Sequence, residues 1–278
     1  MMPRPGFRRL GACNMLAGAL GAALGVVLGM AVAGAASAQP QPFEPVPDTP
    51  EWNVDISAGA VSGFSSTGRE ANRVNATPWA DFNWRNRVYG NPLDGLGYNI
   101  VADDGLRAGV QLRPHYCGKS AIEGLDLPDL GADMAVYGFV RIPGNISVGG
   151  RVMRDISGQT DGTTYYASAS HQGVTRIGLL QSTLYARGGD ARNDAYFGVD
   201  ADAASVTGLT PYAPGSGVRN TGVAFLMLTP IGDRWAVATF ANAERAMSDV
   251  ADSPLIQARD EQEMAIAGIL IVRRFGGW

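Results

Sequence analysis

The side chains able to do chemistry in this chain are few, and their spacing argues against an active site. Only His115 and His171 could serve as a base near neutral pH. His171 follows Ser170, and Ser168 stands two residues before Ser170. In an extended strand adjacent side chains point to opposite faces, so neither serine forms a nucleophile–base pair with His171 within one strand. Asp129, Asp133, Asp200 and Asp202 lack the alternating ligand loop with a closing glutamate that a calcium site uses. Cys117 has no partner for a disulfide or a thiolate metal site once Cys13 leaves with the N-terminus. We therefore expect no catalytic residues, no metal site and no cofactor.

Arginine is the exception. Lys119 is the only lysine, and Arg85, Arg87, Arg107, Arg113 and Arg151, together with His115, recur on one side of alternating segments. From Arg107 to Tyr116 the residues Arg107, Gly109, Gln111, Arg113 and His115 oppose Ala108, Val110, Leu112, Pro114 and Tyr116. From Trp79 to Val88, Asp81, Asn83, Arg85 and Arg87 oppose Ala80, Phe82, Trp84 and Val88, and Ile146–Ile156 splits the same way around Arg151 and Asp155. The period is two, which means strands. If those strands close into a barrel, the six basic residues face the lumen, with Asp81 and Asp155 as candidate partners. Pairing is favoured over a bare basic ring, because unpaired arginines in a narrow lumen carry a large desolvation cost.

The elements that would position these residues follow from the hydropathy pattern. Arg4, Arg8 and Arg9 precede the uncharged apolar stretch Leu16–Val32, and Ala36-Ser37-Ala38 supplies a small-residue cleavage site, so Met1–Ala38 is read as a secretory signal peptide cut after Ala38. Its removal takes three arginines and no acid from the 22 basic and 26 acidic residues, leaving a net charge of −7 that gives no basis for nucleic-acid binding. Residues 39–51 form a proline-rich periplasmic leader, and 52–278 a single domain. No stretch after Ala38 reaches the roughly 18 to 20 apolar residues of a spanning helix.

What remains is a series of short alternating segments: Asn53–Ser62, Trp79–Val88, Gly95–Val101, Arg107–Tyr116, Asp133–Ile142, Asn145–Ile156, Thr163–Gln172, Arg176–Arg187, Ala195–Val199, Val218–Thr229, Arg234–Asn242 and Met264–Phe275. The expected fold is all-β, a closed antiparallel transmembrane barrel of about twelve strands, with ten to fourteen as the range. Tight turns such as Pro143-Gly144-Asn145 and Ile231-Gly232-Asp233 belong on the periplasmic side, and the long Asp200–Ser216 connection outside. Trp52, Trp79, Trp84, Tyr89, Tyr116, Trp235 and Trp278 lie near strand ends, where interfacial girdles in contact with outer-membrane lipid would need them, although ordinary core packing accounts equally well for about half. Phe275 and Trp278 are the two candidates for the C-terminal aromatic assembly signal.

Several motifs, in order, resemble the MipA/OmpV family of outer-membrane proteins. They are Leu127-Pro128-Asp129-Leu130-Gly131, Gly162-Thr163, Tyr196-Phe197-Gly198-Val199, the Tyr212–Gly222 stretch, and Ser248-Asp249-Val250-Ala251-Asp252-Ser253-Pro254-Leu255. The resemblance runs from about Trp52 to Phe275, and the chain departs from it by continuing to Gly276-Gly277-Trp278. It implies an outer-membrane location and a scaffold that bridges a lytic transglycosylase and a bifunctional peptidoglycan synthase. It also admits porin-like members, so a narrow channel with a basic lumen is the alternative.

Overall fold

The computed structural model describes residues 51–63, 73–115, 131–258 and 262–276. The segment expected to be a signal peptide, most of the expected leader, Tyr116, Cys117, Asp129 and Trp278 lie outside them. The described residues form β1 (Trp52–Gly63), β2 (Arg73–Trp84), β3 (Val88–Asn91), β4 (Gly95–Ala102), β5 (Leu106–His115), β6 (Gly131–Ile142), β7 (Ile146–Asp155), β8 (Thr163–Thr175), β9 (Gly178–Gly189), β10 (Gly217–Pro230), β11 (Trp235–Ala246) and β12 (Glu263–Gly276). Each strand pairs antiparallel with its sequence neighbours, and β12 returns to β1 in register from Asn53↔Gly276 to Gly63↔Ile266, so the sheet closes on itself.

The alternation decides which side meets what. Ile56, Leu96, Val136, Val152, Leu184 and Ile271 are 44–63% exposed on the outside, while their strand neighbours are buried within. A soluble sandwich would turn its polar face outward. A closed sheet with an apolar outer belt, every strand hydrogen-bonded to the next, is built for lipid. Trp52, Trp84 and Trp235 sit on this outer face at the end that carries the short turns and both ends of the barrel. Trp79 and Tyr89, expected in the girdle, instead point inward and pack in the interior.

Two expected segments are corrected, and the two corrections cancel in the strand count. Trp79–Val88 is not continuous. Arg85 and Asn86 both adopt positive φ, 52° and 53°, and the Arg87 N–H closes the turn on the Trp84 carbonyl at 2.9 Å, a hairpin turn that matches the twist of its strands. Ala195–Val199 is not a strand: Ala195–Phe197 is a 3-10 turn inside the β9–β10 connection. β3 replaces it as the twelfth strand.

β3 is also the short stave of the barrel. β2 pairs with β1 from Trp52↔Trp84 to Gly63↔Arg73, but with β3 only through Phe82, Asn83 and Trp84. Above the β3–β4 turn the edge of β2 from Arg73 to Asp81 has no strand partner among the described residues. Pro78, which has no N–H to leave unpaired, stands within that edge.

Candidate functional site

The inward face carries the site, and three sequence candidates meet there. Arg107, Arg113 and Arg151 are 4–8% exposed, alternating with outward Leu106, Leu112 and Val152. The partner that gathers two of them is Asp94, a residue of the β3–β4 turn whose carboxylate is 2% exposed. Its Oδ1 lies 2.9 Å from Arg151 Nη1 and 3.6 Å from Arg113 Nη2. Arg151 also donates to Gln111 Oε1 at 3.2 Å.

Asp81 and Asp155, the expected partners, do other work. Asp81 accepts from the Trp79 indole. Asp155 organises the β7–β8 loop, accepting from the Ser157 N–H at 2.8 Å, the Ser157 hydroxyl at 2.6 Å and the Asp161 N–H at 3.0 Å.

Arg85 and Arg87 do not line the lumen. The β2–β3 turn puts them at the rim, where Arg85 pairs with Glu51 and Arg87 donates to the Ile100 carbonyl at 2.7 Å. His115 ends β5 opposite Gly131, and its side chain lies outside the described residues. Ser170 faces inward and shares a hydrogen bond with Thr183 Oγ1 at 2.9 Å, while the exposed His171 points the other way. Asp200 caps the helix Ala201–Thr207 through the Ala203 N–H at 2.7 Å, and Asp133 is buried on the inward face of β6.

A second ion pair was not anticipated. Arg187 on β9 and Glu244 on β11 approach to 3.4 Å, both nearly fully buried, and Tyr185 donates to Glu244 Oε2 at 2.8 Å. The guanidinium of Arg187 lies 4.9 Å over the Tyr185 ring, and that of Arg151 4.9 Å over Tyr166. The signal available in sequence was Arg187 at the polar position of a segment that otherwise alternates poorly.

Five of the inward aromatics share one register. Tyr89 stands opposite Gly97, Tyr137 opposite Gly109, Phe139 opposite Gly149, Tyr185 opposite Gly222 and Phe240 opposite Gly268. In each case the ring occupies the space where the glycine's Cβ would be. The rings therefore lie along the wall over glycine rather than project across the lumen.

The mouth opposite the short turns carries a folded loop cap. The β9–β10 connection holds the short helices Ala191–Asp194 and Ala201–Thr207, and the β11–β12 connection holds Ser248–Ala251 and Pro254–Ala258. Within these two connections Val199, Val250, Leu255 and Ile256 are buried, each at most 4% exposed. Ser253 Oγ donates to the Phe197 carbonyl at 2.6 Å, Tyr212 OH donates to the Asp249 carbonyl at 2.7 Å, and Val199 bridges Tyr212. Arg219 anchors the cap to β10, donating to Asn193 Oδ1 at 2.9 Å and lying 5.5 Å over the Phe197 ring. The segments around Tyr196, Tyr212 and Ser248, far apart in sequence, are thus one structural unit.

These segments fall inside the match to the family described as MltA-interacting protein MipA, which runs over residues 56–275. The chain belongs to the MipA family. Among solved structures, this MipA-family barrel is similar to an outer membrane channel from Pseudomonas putida F1, with 12% identity and a TM-score of 0.42 over 85% of this chain and 99% of that one. The translocator domain of the autotransporter NalP from Neisseria meningitidis gives 12% identity and 0.38 over 82% and 90%. The outer membrane channel DcaP of Acinetobacter baumannii gives 10% and 0.33 over 81% and 96%. No curated protein matches the chain.

Proposed function

We propose that this outer-membrane barrel is a non-enzymatic interaction scaffold that holds peptidoglycan enzymes at the periplasmic rim, a lytic transglycosylase first and a bifunctional synthase with it. The observation that carries the reading is Asp94. Its carboxylate sits against Arg151 and Arg113, and Glu244 sits against Arg187, so three of the inward arginines each have a carboxylate of the barrel itself beside them. Carboxylates placed in this way weaken the field that the arginines present to a passing ion. The family description, MltA-interacting protein, supports the same reading. At the rim with the short turns, Arg85, Arg87, Arg176 and Arg234 are exposed among Glu51, Asp103, Asp104 and Asp233, a charged surface on which a partner of complementary pattern docks.

Surface-binding kinetics of the refolded, oriented barrel against a purified lytic transglycosylase test this. Saturable binding that weakens with salt, and falls at least fivefold in Arg85→Glu/Arg234→Glu, is expected. Absence of binding by a barrel that still shows its heat-dependent gel shift would overturn the scaffold.

One observation favours the alternative of a narrow channel: the inward rings lie over glycines and leave the lumen less filled than their size suggests. Planar-bilayer recording separates the two. The scaffold predicts a folded, silent barrel, whereas ohmic steps that change in Arg113→Gln would establish a channel.

A further inference from the structure

The inward face is divided in a way that neither the scaffold nor a water-filled pore requires. Along β10, β11 and β12 and across to β2 it is apolar. Ala236, Ala238, Leu270 and Val272 are buried beneath Leu226, Leu228, Phe240 and Trp79, which remain only partly buried. Because these four point inward, the surface they leave open faces the lumen. Outer-membrane lumens that carry water are lined with polar side chains, so a water column does not account for this wall.

Toward the capped mouth the inward face continues past Leu226 and Phe240 through Ala224, Thr183, Asn242 and Tyr185 to Arg187, which is 6% exposed. One of its nitrogens meets Glu244, yet its Nε and Nη2 have no acceptor. The Nε of Arg113 and of Arg151 and the Nε2 of Gln111 and of Gln181 are in the same state. Against these six buried donors stand three acceptor oxygens without a donor among the described residues, Glu244 Oε1, Asn220 Oδ1 and, in the loop cap, Asp194 Oδ1. Buried N–H groups need acceptors, and this excess calls for an oxygen-rich group from outside the chain. Gln181 and Leu226 face each other across β9 and β10, six residues down the strand from Arg187, roughly 20 Å at the usual strand rise. That is the reach of an extended acyl chain.

We propose that the lumen binds a single-chain amphipathic carboxylate, its head on the free N–H groups of Arg187 beneath the loop cap and its apolar chain against Leu226, Phe240 and Leu228. The carboxylate takes the forked Nε and Nη2 donors, the geometry in which arginine binds carboxylates best. Glu244 is the competitor for the same guanidinium. The inference goes beyond the scaffold reading and stands independently of it.

The test is titration of dansyl-labelled undecanoate into the full chain refolded in phosphatidylcholine vesicles, with protein-free vesicles subtracted. A saturable, blue-shifted component that hexadecanoate displaces and acetate does not is expected. Arg187→Gln weakens it at least tenfold, Leu226→Asn comparably, and Glu244→Gln, which keeps the hydrogen bond from Tyr185 while removing the competing charge, tightens it about threefold. Each variant is first shown to be folded by its heat-dependent gel shift. If Arg187→Gln does not fold, Arg187→Lys, which keeps the charge without the fork, must still weaken binding. Any of three results overturns the proposal: no saturable component with folded protein, which would mean the free donors are merely hydrated; displacement by hexadecanol as effective as by hexadecanoate; or affinity unchanged in both Arg187 variants.

Discussion

Arg274 and Asp55 face each other across the line where the last strand meets the first, and the guanidinium grips the carboxylate with both prongs, Nε to Oδ1 at 2.7 Å and Nη2 to Oδ2 at 2.5 Å. The pair is 219 residues apart in sequence and only 15–16% exposed, so it marks the closure of the barrel chemically. Asp55→Asn keeps the shape and removes the charge. It should lower the stability of the folded barrel by about 2 kcal/mol, the usual range for a charge-assisted hydrogen bond. Urea titration followed by the gel shift reads this directly, and a change below about 0.5 kcal/mol would mean the pair is solvent-screened.

Asp94 concentrates more risk. Removing its charge leaves Arg151 and Arg113 buried near each other without the carboxylate between them. Breaking a buried pair by deleting one partner typically costs about 3–5 kcal/mol. Asp94→Asn should therefore unfold at markedly lower urea than Asp55→Asn, and Asp94→Asn with Arg151→Gln should recover part of the loss. Additive losses in the double variant would show that the two residues are not coupled.

The glycines under the rings yield a prediction of the opposite kind, where adding one methyl group is harmful. A Cβ on Gly268 would stand 2.5 Å from Phe240 Cζ, and one on Gly222 would collide with the Tyr185 hydroxyl end. Gly222→Ala must push Tyr185 away from Asn242 and Glu244, with an overpacking cost of about 1–3 kcal/mol. Near-ultraviolet circular dichroism should lose tyrosine signal in Gly222→Ala, and Gly217→Ala, which meets nothing within 4 Å, should not.

Asp194 makes the loop cap pH-sensitive. Burial raises its pKa from 3.8 to about 6, with Asp190 and Asp249 adding to the shift and Arg219 opposing it, and its Oδ1 has no donor. A carboxyl whose folded value is raised favours the fold fully below its unfolded value and loses that contribution as pH rises through the folded one. The cap is therefore tighter at pH 4 than at pH 7.5, by about 2–3 kcal/mol at the scale of 1.36 kcal/mol per unit. Asp194→Asn should flatten this dependence. Protease cleavage within 190–216 at several pH values measures it, and a wild-type profile parallel to that of the variant would refute the assignment.

The edge of β2 should betray itself in hydrogen exchange. Its amides between Arg73 and Asp81 that point away from β1 have no strand partner among the described residues, whereas β1 is paired on both sides. Those amides should exchange at least tenfold faster than Ser57–Val61 in micelles. Equal protection would mean that another segment completes the ladder.

Much of the barrel was legible in the residues alone. Alternation along Arg107–Tyr116 and Ile146–Ile156 requires only that side chains of a strand point to opposite faces, and the apolar half of that alternation is what lipid demands, so the shared face of Arg107, Arg113 and Arg151, opposite the apolar one, was a local consequence of the sequence. The β2–β3 turn was not legible, because Arg85 carries a positive φ that nothing in an arginine announces; the turn is held by Asn83 and Asn86 and by Asn99, whose amide reaches the Asn86 carbonyl at 2.7 Å. Nor was the partner of the arginines. Asp94 lies 57 residues from Arg151, in a turn rather than on an alternating strand, and it comes to the lumen only because β3 and β4 are short and the sheet curves closed around their tip. The pairing of rings with glycines and of Arg187 with Glu244 depends on the register between strands, which connection lengths and closure set together. Periodicity determined which way each side chain faces, and tertiary closure alone decided which side chain it meets.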